Sequence, residues 1–391
     1  MGVYTEYLDR NLGFADLAAE RKVQLQRISQ LRGGRDVLVY ASDLGKVQAF
    51  VSIIYTDLLP INDQLANLKG EHLDFVLETP GGSGEVAEDI VRALRSRYQD
   101  VAVIVPGWAK SAGTIIAMSA DEILMDATSG LGPIDAQILW QGKAFSADAL
   151  LAGFKKIKEE VSETGVLNKA YIPILQGISP GELENAQNAQ DFAKELVTKW
   201  LSQFKFKRWT KHASTGQSVT PEEKRKRAEE IATQLRDHSR WLTHGRSIKL
   251  DDLRRMRLQV SDYSENAELA DAIRRYHTLL RMTFESNVYK VFETPVSQIY
   301  RYMLPVVQPG GSPEKPHALP RDARIARFDF KCERCGTVSH VQANLEAGQT
   351  VEKGAFPFPP DNRFRCPNCG TEHDLSDVRR QIELQAKKPV V

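Results

Sequence analysis

Two groups of residues have the types and spacing to do chemistry: four cysteines near the C-terminal end, and a serine set among glycine-rich turns. The chain holds only four cysteines, arranged as Cys332-Glu-Arg-Cys335-Gly336 and Cys366-Pro-Asn-Cys369-Gly370. Two-residue spacing lets both thiolates of a pair reach one ion, and the following glycine permits the tight turn that aims amides at sulfur. Two such knuckles, separated by 30 residues, supply the closed tetrahedral thiolate set of a structural Zn2+ site. A redox role fits less well, because both pairs carry the same glycine flank within one short segment. His340 and His373 read as surface residues rather than ligands.

The serine chemistry is spread over three segments. LETPGGSGE ends an apolar run with two consecutive glycines, which allow a sharp turn and leave amide N–H groups unobstructed. Such amides can cradle a phosphate or an acyl-transfer oxyanion, although Pro-Gly-Gly is more often a plain turn. VAVIVPGWAKSAGTIIAM reads as a buried strand, a Pro-Gly turn and a small-residue helix opening at Ser111. A serine there is either an N-cap or a hydroxyl held where a helix N-terminus favours negative charge, and the two roles are compatible. SGLGPIDAQ places Asp135 on a Gly/Pro loop 24 residues after Ser111.

These segments need a frame to bring them together. The spacing predicts an amphipathic helix over 12–31, stopped by Gly33-Gly34, and buried strands at 37–40, 73–77, 101–105 and 122–125. Helices are predicted over 60–69, 84–98, where Val86, Ile90, Leu94 and Tyr98 share a face, and 111–120. Strand–helix alternation with continuously apolar strands argues for a parallel sheet covered on both faces. Residues 146–235 read as mostly helical, broken near 177–180 and 216–221, and a further long helix is predicted over 263–292. The Pro- and Gly-rich stretch 304–324 reads as a linker.

Composition excludes some classes. With 42% hydrophobic and 26% charged residues, the 391-residue chain falls in the ordinary globular range. Its longest apolar runs are far too short to cross a bilayer, so no membrane partner is expected. The first residues lack the basic-then-apolar pattern of an export signal, from which a cytoplasmic location is expected and a disulfide framework is not. A net charge of +1 names no partner. Basic runs over 205–257 (KFKRWTK, EEKRKR, RRMR) read chiefly as solvated helix faces. Zinc ribbons often bind nucleic acid or protein, and Arg334, Arg363 and Arg365 near the knuckles are too few to choose between them.

Taken in order, TPGG, AKSAGT and LGPIDAQ resemble the Clp-type serine peptidase superfamily, and most closely the serine dehydrogenase proteinase family, relatives of signal peptide peptidase A. The resemblance extends through IYTDLLPINDQL to RWLTHGR, roughly residues 35–260. It implies a Clp/crotonase-like superhelix of ββα units, assembled into a homo-oligomer, that hydrolyses polypeptide substrates. Ser111 would attack the carbonyl, and the backbone N–H groups of Gly82 and Ala112 would form the oxyanion hole. The expected organisation is 1–34 helical, 35–303 peptidase with a helical C-terminal part, 304–324 linker, 325–378 zinc ribbon and 379–391 tail.

The general base is open at this stage. Clp proteases carry a histidine about where this chain has Asp135, while signal peptide peptidase A relatives use a lysine, which must be neutral to accept a proton. The candidates in order are Lys110, His238 and Lys143, with Lys155 in the same general stretch as Lys143 and His244 as a weaker histidine. Lys110 adjoins Ser111, but neighbouring side chains on a helix diverge. His238 lies where Clp proteases keep their triad aspartate, although a structural role beside Trp241 would also account for it. Two other functions compete: a catalytically silent scaffold whose ribbon recruits a protein or nucleic acid, and acyl-CoA chemistry, which does not call for a serine at position 111. The chain shows no GxxxxGK[ST] motif, so any unfolding ATPase would be a separate partner.

Overall fold

The computed structural model describes residues 2–140, 143–212, 214–303, 323–332 and 334–391, and only the backbone at 139, 140, 143 and 144. The predicted linker lies almost wholly outside the described residues. The chain divides into two units, 1–303 and 304–391.

In the first unit seven strands make the central sheet: β1 (Asp36–Ser42), β2 (His72–Glu78), β3 (Asp100–Ile104), β4 (Glu122–Met125), β5 (Ser261–Asp262), β6 (Val288–Glu293) and β7 (Gln298–Tyr302). Their spatial order is β7-β6-β1-β2-β3-β4-β5. Strands β1 to β5 run parallel, in registers such as Val39 opposite Val76 and Phe75 opposite Val103. Alternate side chains serve opposite faces, as the pleat requires. Leu38, Tyr40, Phe75 and Val103 pack with the helices Leu58–Ala66, Gly84–Arg95 and Ala112–Ala117. Val37, Val39, Val76 and Ala102 pack with Phe14–Leu31 and Ala267–Phe284. The parallel sheet covered on both faces is therefore the architecture found.

One edge departs from the sequence reading. The helix predicted over 263–292 stops at Phe284, and 288–293 forms β6, antiparallel to β1 and β7. VYKVFE carries β-branched and aromatic residues that favour a strand. Its two charged side chains, Lys290 and Glu293, are buried and ion-paired, so they do not mark a solvent face. The helical stretch breaks where expected: Ser179 and Thr220 each open a capping box with Pro at the next position, starting the helices Pro180–Trp200 and Pro221–Arg236. Among the described residues no helix is long and apolar enough to cross a membrane.

A second, smaller ladder grows from the carboxyl ends of the parallel strands. Thr79 bridges Ala109, Trp108 and Ala109 pair with Gly130 and Leu131, and Leu131 bridges Ile248. Ile53 bridges Gly82 at the other side. This ladder brings the glycine turn, the Ser111 turn, the Asp135 loop and the segment after Trp241 into one place.

The second unit pairs Ile325–Lys331 with Val338–Asn344 and with Phe356–Pro357, and adds the hairpin Arg363–Arg365/Glu372–Asp374. The expected tail is different: Ser376–Ala386 is a helix, and Ile382, Ala386 and Val390 join a core with Val341, Leu345, Phe358 and Phe364.

The helix Phe14–Leu31 is locked to β6 by a buried ion pair. Arg21, wholly buried, donates from Nε to Glu293 at 2.9 Å, and Tyr276 donates to the same carboxylate at 2.7 Å. Removing one member leaves an uncompensated buried charge, so Arg21→Met should lower unfolding free energy by about 3–5 kcal/mol. Urea unfolding checks this, and a loss below about 1 kcal/mol would show that Glu293 finds another partner.

Candidate active site

Ser111 sits immediately before the helix Ala112–Ala117 with φ +50° and ψ −116°, a left-handed conformation that a non-glycine residue rarely adopts. As the N-cap it makes no side-chain capping bond, and its hydroxyl has no hydrogen-bond partner among the described residues. The strained backbone leaves room on one side only because Gly81 lacks a side chain: a Cβ there would lie 2.6 Å from Ser111 Cβ and 2.8 Å from the Lys110 carbonyl.

The glycine turn is held from its far side. Ile53 N–H donates to Gly81 C=O at 2.7 Å, and Ser83 N–H donates to Ile53 C=O at 3.0 Å. Ile53 thus bonds the two neighbours of Gly82, so the N–H and C=O of Gly82 itself face the opposite way, as in any parallel bridge. Neither the Gly82 nor the Ala112 amide donates to an acceptor among the described residues. Two unpartnered amides beside a free hydroxyl can hold an oxyanion formed at that hydroxyl.

The loop carrying Asp135 is stitched to the same helix. The Thr114 hydroxyl donates to Ala109 C=O or Gly132 C=O and accepts from Gly132 N–H at 2.9 Å, while Ile134 N–H reaches Leu235 C=O. Asp135 is fully buried and meets two imidazoles: His244 Nδ1 at 2.7 Å from Oδ1, and His238 Nδ1 at 3.1 Å from Oδ2. Gln137 Nε2 donates to Oδ2 at 3.0 Å. Burial alone would raise the Asp135 carboxyl, but hydrogen bonding and charge from His244, with a further bond from His238, hold it below the usual range. Each histidine keeps its Nε2 without a partner among the described residues.

Lys110 turns away from the hydroxyl. Its ammonium donates to Ser247 Oγ at 2.7 Å and Gly245 C=O at 3.2 Å. Burial, aided by the charge of Lys249, brings it down to about 8. The same contacts place the turn at 244–247 within one lysine side chain of the backbone next to Ser111. His238 instead lines a cavity of about 480 Å³ with Asp148, Lys155, Gln190 and Arg236. Lys155 is largely exposed and pairs with Glu159 at 3.6 Å, and the Lys143 side chain lies outside the described residues. The pairing of Asp135 with His244 was the part that sequence left weakest. The only signal for it was a His-Gly turn close after the Asp-His-Ser segment.

In the second unit the four cysteine sulfurs lie within 4.8 Å of one another. Cys332 Sγ is 3.5 Å from Cys369 Sγ, and Cys335 Sγ is 3.6 Å from Cys366 Sγ. The knuckles repeat each other bond for bond: Gly336 N–H reaches Cys332 C=O and Gly370 N–H reaches Cys366 C=O, with the two glycines at φ +73° and +72°. Thr337 and Thr371 hydroxyls lie 3.2 and 3.3 Å from Cys335 and Cys369 sulfur. This donor set fits a tetrahedral metal ion. His373 stands against Cys332 sulfur at 3.2 Å, closer than a surface residue would.

Residues 64–217 match the sequence model of the ClpP-like SDH-type serine proteinases. An uncharacterized protein of Methanocaldococcus jannaschii is 38% identical over 95 residues, 24% of this chain and 32% of that protein. A second from the same organism is 43% identical over 70 residues, 18% and 24% of the two chains. The chain thus spans about a third or less of the curated relatives it matches. Among solved structures, a mutant of the 1510-N membrane-bound stomatin-specific protease in complex with a substrate peptide aligns over 51% of this chain and 83% of that one. The identity is 20% and the TM-score 0.22. A probable enoyl-CoA hydratase/isomerase from Mycobacterium abscessus aligns over 57% and 66% at 13% identity, with a TM-score of 0.25. Scores this low transfer no residue role.

A side chain at position 82 would meet Ile53 N and O at 2.4 Å, from a backbone at φ +147°. Gly82→Val should therefore destabilise the first unit by at least about 2 kcal/mol, the strain and the lost strap bonds acting together. Thermal unfolding tests it, and an unchanged melting temperature would show that the 51–55 segment yields freely.

Proposed function

We propose, from the match of residues 64–217 to the ClpP-like SDH-type serine proteinases, that the chain is a serine peptidase with Ser111 as nucleophile. The observation that carries this reading is the uncapped Ser111 hydroxyl at a left-handed N-cap, flanked by the unpartnered amides of Gly82 and Ala112. In this reading His244 Nε2 takes the hydroxyl proton as Oγ bonds to the substrate carbonyl carbon, while the developing oxyanion receives the two N–H bonds. Collapse of the tetrahedral adduct expels the amine, which His244 protonates. Water then repeats the sequence on the acyl-enzyme and frees Ser111. Asp135 holds Nδ1–H of His244 and balances the imidazolium. His238, on the other carboxylate oxygen, keeps Asp135 in place.

Lys110 is the second reading, favoured by an ammonium lowered to about 8. A base must be deprotonated to act, so a Lys110 mechanism would make kcat/KM rise as pH climbs through about 8. Its bonds to Ser247 and Gly245 count against it. Oligomerisation and a polypeptide substrate belong to the same proposal and rest on the family resemblance. The four cysteines would hold one structural Zn2+, a closed site that shapes the second unit and leaves no open position for water.

Ser111→Ala should abolish labelling by a fluorophosphonate probe and reduce peptide hydrolysis by at least about 10³-fold while folding is retained. His244→Gln should approach that loss, whereas Lys110→Met should stay within about ten-fold. Full labelling of Ser111→Ala ends the proposal, and a chain that never labels is the silent scaffold. The ribbon is checked separately: about one zinc per chain by metal analysis, lost on Cys366→Ser, with short-peptide hydrolysis largely unchanged after chelation. Zinc-dependent turnover of a short peptide would overturn the purely structural role.

A further inference from the structure

The glycine turn owes its position to Ile53, and Ile53 owes its position to a charge buried beside it on the same face of the sheet. Lys290, on β6, is 1% exposed, as is Asp57. The ammonium has three N–H groups and three acceptors: Ser52 C=O at 2.7 Å and the Asp57 carboxylate oxygens at 2.9 and 2.7 Å. Asp57 in turn accepts from Ile54 N–H at 3.0 Å and from the wholly buried Tyr40 hydroxyl at 3.0 Å. The residues on either side of Ile53 are thus both fixed, one by the lysine and one by the aspartate. Ile53 spends its own N–H and C=O on Gly81 and Ser83, the two neighbours of Gly82.

We infer that the Lys290–Asp57 ion pair is a positioning device for the oxyanion amide of Gly82, acting through the strap 52–54. The inference rests on the peptidase reading for its catalytic consequence, but its structural half stands without it. Stability does not account for the pair: a buried ion pair is commonly matched or bettered by apolar residues of similar volume. What an apolar pair could not do is bind Ser52 C=O and Ile54 N–H at once and so fix the height of Ile53 against the turn. Oxyanion donors act only when held where charge will develop, so a small shift of the turn weakens transition-state binding more than substrate binding.

The deciding variant is the double substitution Asp57→Asn with Lys290→Met. It removes both charges together, keeps a side-chain oxygen for Ile54 N–H, and deletes the bond to Ser52. The expected result is a cooperatively folded protein whose kcat for a peptide amide falls about ten- to hundred-fold while KM stays within about three-fold. Affinity for a peptide aldehyde, which mimics the tetrahedral adduct, should fall in parallel with kcat/KM. Hydrogen exchange should quicken at the Ile53 and Ser83 amides. A folded double variant with parental exchange at those two amides, or with parental kcat and aldehyde affinity, overturns the inference. Should the double variant fail to fold, Tyr40→Phe keeps both charges and removes one bond to Asp57. Faster exchange at Ile53 is then expected, and parental exchange counts against the device. A parent that hydrolyses nothing would sink the peptidase reading alone, because exchange at Ile53 and Ser83 still decides the strap.

Discussion

A serine at φ +50° costs on the order of 1–3 kcal/mol and persists only where its surroundings over-determine it. Around Ser111 that over-determination comes from close backbone approach. Gly81 rests against its Cβ, and a Cβ on Gly113 would strike Thr79 Cγ2 at 2.5 Å. The Thr114 hydroxyl ties the first turn of the helix to both Ala109 and Gly132. Two of these contacts leave no room for a side chain, which is why glycine stands at 81 in LETPGGSGE and at 113 in AKSAGT. Neither turn could be filled without moving the serine.

In the proposed reading the same frame lets Asp135 serve where the resemblance to Clp proteases would place a histidine. A nucleophile, an imidazole and a carboxylate need mutual geometry; which segment supplies which partner is immaterial. Here the loop at 130–135 is pinned between Thr114 on one side and Leu235 and Ile248 on the other. It therefore delivers a fully buried carboxylate, and the imidazoles arrive from the segment after 237. A buried carboxylate without partners would neutralise itself. Two imidazole nitrogens and the Gln137 amide keep Asp135 ionised despite burial.

Sequence reading was most successful where periodicity and turn chemistry act locally. The first four parallel strands, their helices, the breaks near 177–180 and 216–221, and the three turn motifs could all be read because short-range sterics dictate them. It failed where a charged residue is buried. The sequence reading assigns the strand at 288–293 to the end of the helix 263–292; Lys290 and Glu293 in it are buried by pairing with Asp57 and Arg21, partners more than two hundred residues away. The sequence left His238 and His244 unresolved for a related reason. Both reach Asp135, and only the contact of Lys110 with Gly245 shows which turn lies beside the serine.

The second unit follows a different logic. Its apolar core is small, and the helix at its C-terminal end is needed to complete it, with Ile382 and Val390 closing over Leu345. Phe330, just before the first knuckle, packs edge-on against Phe364, just before the second, and the backbone turns at Gly336 and Gly370 then set the sulfurs. Four thiolates at this spacing would repel one another without a cation among them, so in the proposed reading metal binding and folding of the knuckles would be one equilibrium. A site closed in that way stabilises a surface but cannot polarise a substrate. In the proposed reading the chemistry therefore belongs to the strained serine of the first unit, and the four-cysteine site would contribute structure alone.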